Sequence, residues 1–195
     1  MNDPTLVRRI LDKAIAQEAH LFRKRVVEAF DSSGASNKVV WAPNKESTAK
    51  IKGSSKPLVD RADLRNSIEV QKVKNDEYFV GVPKGARGAK GQDLVDVGGV
   101  HEEGKKIAIT VTPKMHRYVM ALLKQHGVPP SNSGSGKFAP GSTIVISIPA
   151  RSFLQSTADA HFTQEKVDRR MQARMLRMLR REGLIPAATK RVKKT

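Results

Sequence analysis

The chain has no cysteine. That excludes disulfide scaffolds, zinc ribbons, iron–sulfur ligation and cysteine nucleophiles. Aromatic residues are few: one Trp, two Tyr and six Phe among 195 residues. With 38% apolar and 5% aromatic residues, part of the chain is expected to lie outside the core. No apolar run approaches the roughly 20 residues needed to cross a bilayer. The opening residues, Asn2, Asp3 and Pro4, carry no signal-type apolar stretch, and a soluble protein of intracellular type is expected. Acids are also scarce, since 36 Lys and Arg against 19 Asp and Glu leave a formal net charge of +17. Such a charge points to an anionic partner: nucleic acid, an anionic membrane or an acidic protein surface. The length suits one domain with arms.

Catalytic motifs are missing as well. The segment from Gly81 to Gly91 is rich in glycine, yet no register gives the phosphate-loop spacing or a following Lys-Ser/Thr pair. A flexible cationic loop is expected there, with Lys84, Arg87 and Lys90 able to contact DNA or an acidic neighbour, or simply solvated. His101-Glu102-Glu103-Gly104 opens like a zinc-protease motif, but position 105 is Lys where a second His is required. His20, His101, His116, His126 and His161 include no pair at ligand spacing. No Gly-x-Ser-x-Gly elbow is present. The expectation is a protein without catalytic activity, cofactor or metal, in which 101–104 form a short acidic turn of structural or interface role.

Periodicity gives a helix over 4–30, capped by Asp3, with Val7, Leu11, Ala14, Leu21 and Phe22 as its apolar stripe. A polar loop pinned by Trp41 follows over 36–55. Between Leu64 and Val82 the pattern is strand-like, with a hairpin turn at Asn75-Asp76. Residues 107–111 and 143–148 form β-branched strands ending at Pro113 and Pro149. Between them lies a helix from Pro113 to Gln125, capped by Thr112, with Met115, Val119, Leu122 and Leu123 as its buried stripe. A loop is expected over 128–142, and one long helix from about Phe153 to Glu182 ends at Gly183. This order predicts an α+β fold: a small antiparallel sheet packed with helices, and long N- and C-terminal helices. The expected organisation is a helical arm over 1–35, a central domain over 36–182 and a basic tail over 183–195.

On the last helix, Arg170, Arg174, Arg177 and Arg181 recur every three or four residues and form one ridge. Met171, Met175, Met178 and Leu179 lie beside it, extended upstream by Leu154, Ala158 and Phe162. Such a ridge can pair with phosphates or carboxylates, or be an ordinary solvated face. It continues into Lys190, Arg191, Lys193 and Lys194.

Four local segments, in order, resemble the tailed-bacteriophage virion-morphogenesis proteins, also described as tail-completion or neck proteins. The first is Trp41-Ala42-Pro43 with Ser47-Thr48 and Lys50. The second runs from Leu58 to Ile68, with Ala62 where that family's pattern has glycine. Val100-His101-Glu102-Glu103-Gly104 is similar to the family's histidine–x–x–glycine turn, with Gly98-Gly99 in place of the usual Tyr-Ala. Ile148-Pro149-Ala150-Arg151-Ser152-Phe153-Leu154 is similar to its isoleucine–proline–alanine–arginine–x–phenylalanine–leucine segment. The resemblance covers roughly residues 36–180. It implies an α+β fold and a structural role at the head–tail junction of a virion, assembled in the host cytoplasm. It further implies a homo-oligomeric ring, a hexamer or dodecamer, around channel DNA. Neighbours would be head-completion, tail-terminator or tail-tube proteins. Arg151, between a strand-ending proline and a helix, is expected to bridge segments in a structural or interface role, or to face DNA. The alternative is a stand-alone basic nucleic-acid-binding protein.

Overall fold

The computed structural model describes residues 4–58, 61–127 and 138–186. Asp3, Val59, Asp60, residues 128–137 of the expected loop and the tail bearing Lys190, Arg191, Lys193 and Lys194 lie outside these residues. The fold is α+β, as expected, with long helices towards both ends. Among the described residues its strands form two two-stranded antiparallel sheets where one small sheet was expected.

Helix α1 spans Pro4–Asp31 and runs through the domain, packing against the first hairpin and the last two helices. With neighbours on two sides, it buries Ile10, Ala14, Glu18, Ala19, Val26, Ala29 and Phe30. The expected stripe is therefore rotated: Val7 is exposed, and of its members only Ala14 is fully buried. The helix closes where Ser33 turns left-handed, with Gly34 N–H donating to Ala29 O and Ser33 N–H to Phe30 O. A Cβ on Gly34 would lie 2.4 Å from Val39 O, so this turn needs glycine.

Residues 36–55 are not all loop. Helix α2, Glu46–Lys52, forms on an Lys50–Glu46 pair at 2.8 Å, one turn apart. Leu64 lies in a single helical turn, α3 (Asp63–Asn66), and not in a strand. The hairpin of β1 (Glu69–Lys74) and β2 (Glu77–Gly81) turns at Asn75-Asp76 as expected and pairs Val70 with Val80. It docks on α1 through Asp12, which accepts from Lys72 Nζ at 2.7 Å, Tyr78 O–H at 3.2 Å and Asp76 N–H at 3.3 Å. The Lys72 hydrogen bond, foremost among these, holds the Asp12 carboxyl below its usual range.

Beyond the glycine-rich loop over 81–91, helix α4 spans Leu94–Glu103 and takes in most of the expected acidic turn over 101–104. Asp93 caps it by accepting from Val95 N–H at 2.9 Å, which offsets the low helix propensity of Gly98 and Gly99. Strands β3 (Lys105–Thr110) and β4 (Thr143–Ile148) pair with Ile107 opposite Ile146. Between them α5 spans Pro113–Gln125, and Thr112 caps it through Met115 N–H at 3.1 Å. Its expected buried stripe is only half-buried, because few of the described residues cover this unit.

The single long C-terminal helix is two: α6 (Leu154–His161) and α7 (Gln164–Arg181). Phe162 breaks the run to stack edge-on against Phe22, with ring centroids 4.9 Å apart. The redirected chain then lies along α1, and Gly183, at φ 72°, closes α7. The core gathers Val26, Ala29 and Phe30 of α1 with Trp41, Leu64, Ile68, Leu94 and Phe153. Each large side chain there contributes on the order of 2 kcal/mol through burial. Among the described residues, no helix is long and apolar enough to cross a membrane.

Candidate functional site

The four family-like segments, far apart in sequence, meet at the start of α6. Trp41 donates its indole N–H to Ser152 O at 3.0 Å, and its ring packs edge-on against Phe30. Arg151 is buried; its Nε donates to Ala42 O at 3.0 Å and its backbone N–H to His101 O at 2.7 Å. Glu102, at the end of α4, caps α6 from outside. Its carboxylate accepts from Ser152 Oγ at 2.6 Å and from the backbone N–H groups of Phe153, Leu154 and Gln155 at 2.8–3.2 Å. The helix N-terminus favours that negative charge. Gly104 then passes so close to the 148–150 backbone that a Cβ would lie 2.8 Å from Ala150 N. From the second segment, Leu64 joins the same core as Phe153 and Trp41. Ala62, just before it, takes the left-handed conformation, φ 60° and ψ 15°, which glycine adopts without strain.

Beside this junction opens a cleft of about 810 Å³. One wall is the run Val145 to Pro149 along β4; another is apolar, with Pro43, Leu58, Leu64, Leu94 and Val97. Lys45, Lys52, Arg61, Lys90, His101 and Arg151 bring positive charge or imidazole, against one carboxylate, Asp63. Asp63 is itself engaged, accepting from Ala89 N–H at 2.8 Å. Burial, aided by the nearby charges of Arg151 and Lys52, lowers the His101 pKa and favours the neutral ring. Its Nδ1 is buried with no hydrogen-bond partner among the described residues. Nor does any group of three His, Asp or Glu among these residues have the arrangement to hold a metal ion. Its lining thus combines surplus positive charge with an apolar wall, a surface chemically complementary to anionic and apolar groups.

No protein-family model, curated protein or solved structure matches this chain significantly. The site therefore rests on its own geometry.

The other expected contact residues divide. Arg170 and Arg174 do not belong to a solvent ridge. Both turn inward to the buried carboxylate of Glu18 on α1. Arg170 binds it through Nε and the terminal nitrogen at 2.9–3.0 Å, also donates to His161 O, and lies over the Phe162 ring. Arg177 and Arg181 remain exposed, with Lys166, Arg169 and Arg180. In the glycine-rich segment, Lys84 and Lys90 are exposed and Arg87 lies 3.6 Å from Asp93. That segment is tied down, since Gly88 N–H donates to Gln92 O and Leu94 N–H to Ala86 O. Sequence reasoning missed Glu18, whose partners lie 152–156 positions away, and gave the turn holding Glu102 a structural or interface role without its partners, 50–53 positions away. An acid on an apolar helix face was the one available signal for Glu18.

Proposed function

We propose that this chain is a structural, non-catalytic component of a tailed-phage virion, a neck or tail-completion protein forming a ring at the head–tail junction. The observation that carries this reading is the meeting of the four family-like segments at one junction. Trp41, Ala42, His101, Glu102, Gly104, Arg151 and Phe153 bond or pack around the start of α6, and Leu64 joins their core. The left-handed backbone at Ala62 adds support, since it falls where the family pattern has glycine. The net charge of +17 suits a ring around channel DNA. The β3–α5–β4 unit, with little of its apolar surface buried by the described residues, suits contacts between subunits.

The test is electron microscopy of lysates from phage lacking this gene. Filled heads beside unattached tails are expected, and tails of abnormal length would place the protein at the end of tube growth. Intact infectious particles would overturn the reading. The second reading, a stand-alone nucleic-acid-binding protein, is favoured by one feature: the exposed basic face of α7, with Lys166, Arg169, Arg177, Arg180 and Arg181. It requires sequence-independent DNA affinity that falls steeply with salt, as phosphate contacts release counterions.

A further inference from the structure

Strand β4 is an unusual edge. It reads Thr-Ile-Val-Ile-Ser-Ile, without charge, proline or glycine, and Val145 and Ile146 are 65% and 40% exposed. Its inner edge pairs with β3, and no other strand among the described residues takes its outer edge. Soluble proteins ordinarily protect such an edge with lysine, proline or a bulge, because a row of open N–H and C=O groups recruits further strands. Here the same strand forms a wall of the cleft. Lys45, Arg61 and Lys90 line that cleft, and no salt bridge holds any of the three among the described residues.

We infer that the cleft receives an extended acidic peptide segment of a neighbouring protein, which adds to β4 as a third strand. Main-chain hydrogen bonds along β4 supply affinity, alternate side chains enter the apolar wall, and the cations select Asp and Glu. A nucleic acid fits less well, since a phosphate backbone offers acceptors but no regular donors for the β4 carbonyls. The chain's own last residues are basic, and a second copy would bring another cationic cleft, so both are repelled. This deepens the neck reading by naming the partner's chemistry, and rests on it for the partner being a protein.

The test selects a random dodecapeptide library against the purified full-length chain, with the Lys45→Glu, Lys90→Glu double variant as counter-target. Both side chains are exposed, so the variant keeps its fold, checked by circular dichroism. Enriched peptides should combine Asp or Glu with β-branched residues and bind the variant at least about tenfold more weakly. A synthesised winner should slow amide exchange in 143–148. No enrichment over a target-free control, enrichment without acids, or protection that spares β4 would each overturn the inference. So would displacement of the winner by a twelve-nucleotide oligo-dT, which would assign the cleft to single-stranded nucleic acid. Concentration-dependent dimerisation that protects 143–148 would overturn it too, in favour of a second copy. Because the selection uses the isolated chain, its failure leaves the lysate microscopy free to uphold the neck reading.

Discussion

The two ends of the central domain solve opposite problems. Around α1, α6 and α7 nearly everything is internally satisfied: Phe30, Trp41 and Phe153 interlock, Arg151 and Glu102 tie segments together, and Glu18 holds two arginines. In the β3–α5–β4 unit only Val111 among the described residues is fully buried, while Tyr118 is 67% exposed. The first region carries the stability of the isolated chain. The second carries apolar surface that no other described residue buries, such as Val145 and Tyr118.

The comparison can be broken most directly at Phe153. Replacing it with alanine empties the centre of the core, and a loss of about 4 kcal/mol is expected in denaturant melts. Glu18→Ala should cost about 3 kcal/mol, because it strands Arg170 and Arg174 without their carboxylate. A loss well under half of that would mean that α7 is held by apolar packing alone. Ala62→Gly should gain about 1 kcal/mol, since glycine meets no Cβ penalty at φ 60°. Leu122→Ala, on the half-buried face of α5, should change the melt by less than about 1 kcal/mol. A cost there equal to that at Phe153 would erase the contrast between the regions.

The smallest effect is one of pH, at the boundary between the two regions. His101 has a lowered pKa in the fold, chiefly from burial, so the unfolded chain takes up the proton first. Stability should fall as pH drops below about 6.5 towards the lower folded value, then level off. His101→Asn should flatten that slope relative to the parent chain.

Much of this was legible locally. Thr112 and Pro113 start α5, Asn75-Asp76 turns the first hairpin, and Gly183 ends α7, each because its backbone preference acts within a few residues. The break at Phe162 was not legible, because no proline or glycine marks it; a stacking partner on α1 decides it. Helix α4 was hidden by Gly98 and Gly99, and the cap from Asp93 outweighs their propensity. For the site, charge and position flagged Arg151 and Lys90, but the cleft that joins them is drawn from stretches spread between residues 42 and 151.

By itself, the sequence determined helices α1 and α5, the first hairpin, the strands β3 and β4, the surplus of positive charge and the absence of cysteine chemistry, since these depend on composition and short-range spacing. Only the tertiary structure decided which arginines are ligands of a buried acid and which face water. In the same way the four segments became one junction, and β4 came to lie beside cations with no second strand partner among the described residues. Those outcomes depend on contacts between residues tens to more than a hundred positions apart, where helical or strand periodicity carries no information.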